Sequence, residues 1–203
     1  MKGKVCGDFC EFTLDKGHFI TGEIMEFAIQ HTLSSKDIKL MRKRLGLKQK
    51  DFAALLNVSV KTIERWEQAD VAVTGPAVTL LKILYETPEW VEELQIPTKI
   101  YPLRLFYYYK ENLCTVIDVN EPTRKIAIKN FVRNPIYCAF GVNNAPTFKD
   151  YEDFLESRCF PRSRDKMKII LRDLGLPFYD PFLIIQKTKG KMAEDDFWIE
   201  IER

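Results

Sequence analysis

The fold of this 203-residue chain is decided by the stretch Leu47-Lys48-Gln49-Lys50-Asp51-Phe52-Ala53-Ala54-Leu55-Leu56-Asn57-Val58-Ser59-Val60-Lys61-Thr62-Ile63-Glu64-Arg65-Trp66-Glu67. Apolar residues recur at helical spacing on both sides of Asn57-Val58, which predicts two short helices joined by a tight turn. Ser59 is a good cap for the second helix because its hydroxyl can accept a hydrogen bond from the first turn. Ala53 is small where the two helices would cross. The stretch therefore predicts a helix, a tight turn and a capped helix.

Further helices are predicted on either side of this pair. Ser35 is the predicted N-cap of a preceding helix that stops at Gly46, and a following helix is expected from about Ala77 to Tyr85. We therefore assign residues 34–96 to an all-helical domain. Residues 1–33 form a small irregular N-terminal segment, and residues 97–203 form a separate C-terminal domain.

The charge of the chain is concentrated in the helical region. The formal net charge is only +2, which argues against a nucleic-acid partner if charge is spread evenly. Residues 34–68, however, contain nine basic and four acidic residues, a net charge of +5, whereas residues 1–33 carry −2 and residues 69–203 carry −1. A basic module inside a near-neutral chain is typical of a nucleic-acid-binding domain.

A helix-turn-helix on a basic module predicts a duplex-DNA reader whose second helix enters the major groove. Lys and Arg can bind guanine O6 and N7, and a Thr methyl suits a thymine methyl. The residues predicted to face DNA are Gln49, Ser59, Val60, Lys61, Thr62 and Arg65, with Lys36, Lys39, Arg42 and Lys43 on phosphates. The alternative is a four-helix bundle with a solvated basic face.

The segments 47–53 and 56–67 resemble the Cro/C1 (XRE) family of helix-turn-helix regulators. The continuation Thr74-Gly75-Pro76-Ala77-Val78-Thr79-Leu80-Leu81-Lys82-Ile83-Leu84 is similar to the narrower group of MqsA-type and HigA-type antitoxins. The resemblance implies a homodimer on a palindromic operator. The chain departs from many relatives by having Gln68-Ala69 where they place a glycine.

The N-terminal segment offers little support for a metal site. MqsA-type antitoxins often carry an N-terminal zinc domain with two Cys-x-x-Cys pairs, whereas this chain has Cys6-x-x-x-Cys10 and no second pair before the helices. His18 and His31 could complete a four-ligand set. The two histidines are separated by 12 residues, whereas zinc-binding His pairs are usually three to five residues apart. We therefore interpret the segment as a degenerate zinc-ribbon-like remnant and expect no metal and no other cofactor.

The C-terminal region predicts a mixed α/β domain, which makes the whole chain α+β. β-branched and aromatic residues within 105–119 flank the polar turn Lys110-Glu111-Asn112, which predicts a β-hairpin, and residues 125–129 alternate as a half-buried strand. Asp150 is the predicted cap of a following helix, and another helix is expected from about Arg164 to Leu174.

Three arginines in this domain, Arg158, Arg162 and Arg164, are candidates for binding a partner or ligand. The surrounding sequence resembles part of the HipA-related proteins of Gram-positive bacteria, and this implies a docking module because the chain has no room for a kinase core. The arginines could clamp a phosphate and lower the thiol pKa of Cys159. The alternative is that they pair with Glu156, Asp165, Asp195 or Asp196.

The leading hypothesis is a DNA-binding transcriptional regulator, an antitoxin-like autorepressor in a toxin–antitoxin or mobile-element operon, with a toxin or kinase-like protein as partner. Rival hypotheses make the C-terminal domain a DNA-targeted effector, such as a small toxin or nuclease, or an adaptor that neutralises a protein partner. We expect no enzyme and name no catalytic residue, because the common phosphate-loop, nucleophile and zinc-protease motifs are missing. No apolar run is long enough for a membrane span, and we expect a cytoplasmic protein.

Overall fold

The structure is a computed structural model that describes residues 27–68 and 72–203. It divides into two compact units, one ending at Ile83 and one spanning Leu84–Arg203. Within the described residues the chain forms eight α-helices, one short 3-10 helix and six strands. The predicted α+β class is confirmed.

The first unit is helical apart from one short strand pair. Strand β1 (Thr32–Leu33) pairs antiparallel with β2 (Val73–Thr74). The helices are α1 (Ser35–Arg44), α2 (Gln49–Leu55), α3 (Val60–Gln68) and α4 (Pro76–Glu86), and the division between the units falls in α4. Ala69, which follows α3, lies outside the described residues.

The cap of α1 is one residue earlier than predicted. Ser34, not Ser35, precedes the helix, and its hydroxyl accepts a hydrogen bond from the backbone N–H of Asp37. The Asp37 carboxylate in turn accepts from the backbone N–H of Ser34. This reciprocal capping box requires the serine and the acid to be three residues apart, and that spacing selects Ser34.

The core of the first unit lies between the helices and the short strand pair. Phe52 of α2 and Ile63 of α3 are fully buried and Ala53 nearly so, which places α2 firmly against α3. The other members of this core are Leu33, Ile38, Met41, Leu56, Val73, Val78 and Leu81. Burial of these side chains is what fixes the short helices, since helices of seven to ten residues are marginal alone in water.

The second unit is built on a four-stranded antiparallel sheet. Its strands are β3 (Leu103–Tyr109), β4 (Asn112–Asn120), β5 (Lys125–Asn130) and β6 (Phe197–Glu202), in the order β5-β4-β3-β6. The predicted hairpin is therefore confirmed, with Lys110 at φ +52° in the turn. The last strand, β6, pairs beside β3.

Four further helices accompany this sheet: α5 (Glu89–Leu94), α6 (Phe148–Ser157), α7 (Met167–Asp173) and α8 (Pro181–Thr188). Asp150 is not the cap of α6; Thr147 is, and Asp150 closes a second capping box three residues later. Helix α7 begins at Met167 rather than at Arg164, because Lys166 before it is left-handed at φ +61° and cannot continue a helix.

The two faces of the sheet bury different kinds of side chain. One face carries apolar side chains such as Leu105, Ile117 and Ile199 into a core with residues of α6, α7 and α8. On the opposite face Arg104 and Asp118 form a buried bidentate ion pair at 2.6 and 2.8 Å. Arg104 also donates to the carbonyl of Pro97, and the N–H of Ile100 donates to Asp118. The pair therefore fixes the segment that leads into β3.

We expect Asp118→Ala to lower the free energy of unfolding of the second unit by about 3–5 kcal/mol, because it leaves the Arg104 guanidinium buried without a counter-ion. The two side chains are only 6% and 5% exposed. Urea unfolding followed by circular dichroism measures the change. The matched control is Asp153→Ala, which breaks the exposed Lys149–Asp153 pair and should cost less than about 1 kcal/mol. Equal losses in the two variants would contradict the structural role of the pair.

Candidate nucleic-acid interface

The turn between α2 and α3 has the local geometry that the sequence predicts. Asn57 adopts a left-handed conformation at φ +53°, which asparagine tolerates better than most residues. The N–H groups of Asn57 and Val58 then bond to the carbonyls of Ala54 and Ala53. These bonds satisfy the end of α2 and turn the chain into α3 within four residues.

Ser59 caps α3 as predicted and also binds a neighbouring side chain. Its hydroxyl accepts from the backbone N–H of Thr62 at 3.1 Å and lies 2.8 Å from the Thr62 hydroxyl. Because the Thr62 hydroxyl is engaged in this contact, its methyl group is the part of the side chain left for an apolar contact outside the protein.

A single carboxylate, Glu67, connects the three helices of the motif. Its side chain is 4% exposed. Arg42 of α1 donates to it from Nε at 2.5 Å and from Nη2 at 3.0 Å, and Gln49 of α2 donates from Nε2 at 2.9 Å. Arg42 Nη1 also donates to the carbonyl of Leu47. Charge-assisted bidentate bonds of this kind are directional, so Glu67 fixes the orientation of α3 relative to α1 and α2.

These bonds shift the ionisation of both partners. The Arg42 guanidinium holds the pKa of the Glu67 carboxyl below its ordinary value of 4.5, against the opposing effect of burial, and Gln49 and Lys39 add to the lowering. The bond to Glu67 raises the pKa of Arg42 in turn. The Glu67 carboxylate is therefore charged near neutral pH, and in this form it accepts the bonds that connect the three helices.

The outward face of α3 presents polar and charged side chains to solvent. A shallow surface depression on this helix is lined by Ser59, Lys61, Thr62, Glu64, Arg65 and Gln68. In the part of the chain that the structure describes, neither Lys61 nor Arg65 makes a side-chain hydrogen bond or an ion pair. Their cationic groups are therefore available to an external anion or base edge.

The structure brings five of the predicted DNA-facing residues together and separates the others. Ser59, Val60, Lys61, Thr62 and Arg65 all lie at the start or on the exposed side of α3. Gln49 is half-buried and bound to Glu67. The remaining predicted residues, Lys36, Lys39 and Lys43, are exposed on α1. Contact of any of these residues with DNA stays a prediction.

Sequence reasoning missed two residues of this surface and the internal bonds of Arg42. Glu64 and Gln68 share the depression with Lys61 and Arg65, and their spacing of three and seven residues from Lys61 on one helix could have indicated it. Arg42 was expected to hold a phosphate. Three of the five N–H groups of its guanidinium instead donate to Glu67 and Leu47, and contact with a phosphate stays a prediction.

The three candidate arginines of the second unit do not converge on one point. Arg158 is buried and binds Asp195, with further bonds to the carbonyls of Gly190 and Phe197. Arg162 binds Glu156, and Arg164 is exposed with its guanidinium 6.0 Å from the ring centre of Phe160. The alternative of internal pairing is thus confirmed for Arg158 and Arg162.

Cys159 lacks the properties of a reactive thiol. Burial raises the pKa of Cys159 to about 12, with Glu156 and Asp180 adding to the rise and Arg158 and Arg162 only partly opposing it. The expectation of a lowered thiol pKa is wrong. Since the thiolate is the nucleophilic form, this cysteine does not supply one near neutral pH.

Two other expectations concern metals and membranes. Within residues 27–68 and 72–203, no group of three or more His, Cys, Asp or Glu side chains could hold a metal ion. Cys6, Cys10 and His18 lie outside the described residues, so the remnant interpretation stays a prediction. No helix among the described residues is long and apolar enough to cross a membrane.

We expect Glu67→Ala to destabilise the first unit by about 3 kcal/mol, because it leaves a partly buried guanidinium without its counter-ion. The pKa of Glu67 is lower in the folded protein than its ordinary value of 4.5, so its stabilising effect is complete above that pH and is lost as the pH falls through the folded value. The difference in Tm between the wild type and Glu67→Gln should therefore narrow below about pH 4.5.

Thermal unfolding between pH 3 and pH 7 measures this difference. Asp51→Asn is the control, because Asp51 is exposed on α2 and its Tm difference from the wild type should stay small throughout. A Glu67→Gln difference that is constant over this pH range would contradict the role assigned to the carboxylate.

Comparison with known proteins agrees with this geometry. The helix-turn-helix family model HTH_3 matches residues 38–84. The antitoxin HigA-2 of Vibrio cholerae is 36% identical over 62 residues, which are 30% of this chain and 60% of HigA-2. The HTH-type transcriptional regulator YiaG of Escherichia coli is 32% identical over 73 residues, which are 36% of this chain and 76% of YiaG. The chain therefore belongs to the HTH_3 family of Cro/C1-type helix-turn-helix transcriptional regulators, as its motif predicts.

Proposed function

We propose that this protein is a sequence-specific DNA-binding regulator that represses the operon encoding it, in the manner of an antitoxin. The observation that carries the proposal is the exposed face of α3, where Lys61 and Arg65 have no bonding partner among the described residues. The neighbouring Arg42 differs, because three of its five N–H groups donate to Glu67 and to the carbonyl of Leu47. Lys61 and Arg65 of α3 are thus available to an external ligand, while the Arg42–Glu67 ion pair stabilises the motif.

The chemistry of this face suits the major groove of DNA. Arg65 and Lys61 can donate to guanine O6 and N7, and the methyl groups of Thr62 and Val60 can contact a thymine methyl. The exposed lysines of α1, Lys36, Lys39 and Lys43, supply sequence-independent attraction to phosphates. Because a helix of this length reads only a few base pairs, we propose a homodimer that places two copies of α3 on a palindromic operator.

The antitoxin setting is supported by the similarity to HigA-2, of which this chain covers 60%. The family match ends at residue 84, so it does not extend into the second unit. We propose that this unit binds a protein partner, a toxin or kinase-like protein encoded beside it on a chromosomal or mobile-element operon. Such a regulator acts in the cytoplasm, where its DNA lies.

Exposed apolar side chains on the second unit favour partner binding there. Ile136 and Val142 are 77% and 81% exposed in the connection between β5 and α6, and Phe178 is exposed after α7. Apolar side chains at this exposure are not packed inside the unit, so they are available to the surface of a partner. The second candidate function, an adaptor that chiefly neutralises this partner, rests on the same observation. The effector alternative is weakened by the burial of Arg158 and Cys159, and we propose a non-enzymatic role.

We expect the protein to shift a duplex from its own upstream region at concentrations that leave random duplex free. Arg65→Ala should cost about 1–3 kcal/mol on that duplex and relax base preference, whereas Lys39→Ala should weaken all duplexes about equally and reduce the salt slope by about 1. Electrophoretic mobility shifts at several salt concentrations measure both. Lys168→Ala, an exposed change on α7, is the control. No preference over random duplex at any moderate salt would refute the proposal.

A second prediction concerns the partner. Co-expression with the product of the neighbouring gene should give a stoichiometric complex, and the double change Ile136→Asp and Val142→Asp should abolish it because charge is introduced into an apolar contact. DNA binding by the same variant should be unchanged. Size-exclusion chromatography of the purified pair measures this. A complex that survives the double change would place the partner elsewhere.

A further inference from the structure

One acidic side chain stands among the cations of α3. Glu64 is exposed, lines the same depression as Lys61 and Arg65, and has no hydrogen bond or ion pair with another described residue. Two of the other three acids of the motif differ in this respect, and the third, Asp51, lies on α2 and not on α3. Asp37 is bound in the capping box of α1, and Glu67 is bound by Arg42 and Gln49. The Glu64 carboxylate is therefore free to accept a bond from outside the protein.

A free carboxylate is unfavourable on a surface that contacts only the phosphates of the DNA backbone. Phosphates carry one negative charge each, and a carboxylate beside them opposes the attraction that Lys61 and Arg65 provide. Such a group can be offset only where DNA offers it a hydrogen-bond donor. The chemistry of Glu64 thus points away from the backbone and toward the edge of a base.

The major groove offers donors of one kind only. Adenine presents its N6 amine and cytosine its N4 amine, whereas guanine and thymine present acceptor oxygens at the equivalent positions. Every base pair therefore carries one amine in this groove, on one of its two strands. A carboxylate cannot donate, so it distinguishes the strand that carries the amine from the strand that carries the oxygen.

We propose that Glu64 is a specificity-determining residue of this reader, which accepts a hydrogen bond from an adenine or cytosine amine at one base pair of each half-site and rejects guanine and thymine on that strand. The proposal rests on the DNA-binding function given above and assigns part of its sequence preference. In this role Glu64 lowers the affinity of the protein for duplex DNA of any sequence and lowers it less where the base pair presents an amine on the correct strand.

The helix geometry places this base pair beside the one that Lys61 reads. Three residues along a helix correspond to about 4.5 Å, which is close to the spacing of about 3.4 Å between successive base pairs. The amine-bearing position should therefore be next to a guanine read by Lys61 or Arg65. The half-site is expected to contain an A-or-C column directly beside a G column.

Selection from a random duplex library, followed by sequencing, tests the assignment with the full-length protein. The wild type should enrich a motif with one column in which adenine and cytosine exceed guanine and thymine by about tenfold. Glu64→Gln should admit guanine and thymine at this column, because the amide also donates, and Glu64→Ala should show no preference there. Both variants should bind random duplex about threefold more tightly, since a negative charge has left the interface.

The control is Glu121→Gln, which removes the same charge from an exposed turn of the other unit and should leave both the motif and the affinity unchanged. Glu64 has no bond to lose among the described residues, so equal Tm values for the wild type and both variants are expected. A wild-type motif that both Glu64 variants reproduce column for column overturns this proposal and leaves the proposed DNA-binding function intact. A wild type that enriches no motif overturns both.

Discussion

The ion pair between Arg42 and Glu67, completed by Gln49, is the interaction on which the DNA-reading unit depends. The helices that it joins have only seven to ten residues, too few to hold an orientation without tertiary contacts. Apolar packing at Phe52 and Ile63 brings α2 and α3 together, but packing is not directional in the way that a bidentate bond is. The bonds of Glu67 fix the orientation of α3 relative to α1 and α2, and this orientation determines which side of α3 faces solvent.

The basic residues of the chain divide into those that build the fold and those that remain available. Arg42, Arg104 and Arg158 are each spent on a carboxylate and on backbone carbonyls, so they stabilise the positions of chain segments. Lys61 and Arg65 make no such bonds to other described residues. This division explains how a chain of net charge +2 can present a cationic reading helix. Attraction to DNA depends on the charged side chains that are not paired inside the protein. Glu64 lowers the net positive charge of this helix face.

Sequence reasoning predicted local features well, whereas of the long-range arginine pairings it offered the one of Arg158 and missed the one of Arg42. The tight turn at Asn57, the cap at Ser59 and the β-hairpin around Lys110 depend on neighbours within a few residues, and all three are present. The capping errors at Ser35 and Asp150 share one cause: in both places the acid lies three residues inside the helix and closes a capping box. The role of Arg42 depends on a partner 25 residues away, and periodicity carries no information about such a pairing. The pairing of Arg158 with Asp195, 37 residues away, was one of the alternatives that the sequence offered, but the sequence did not select it.

Backbone-amide NMR during titration with a duplex from the protein's own upstream region tests the central claim most directly. If α3 is the reading helix that Glu67 positions, the largest shifts fall at residues 59–65 and at the start of α2, and the sheet of the second unit is unaffected. Shifts concentrated in residues 97–203, with those of α3 unchanged, would contradict the account.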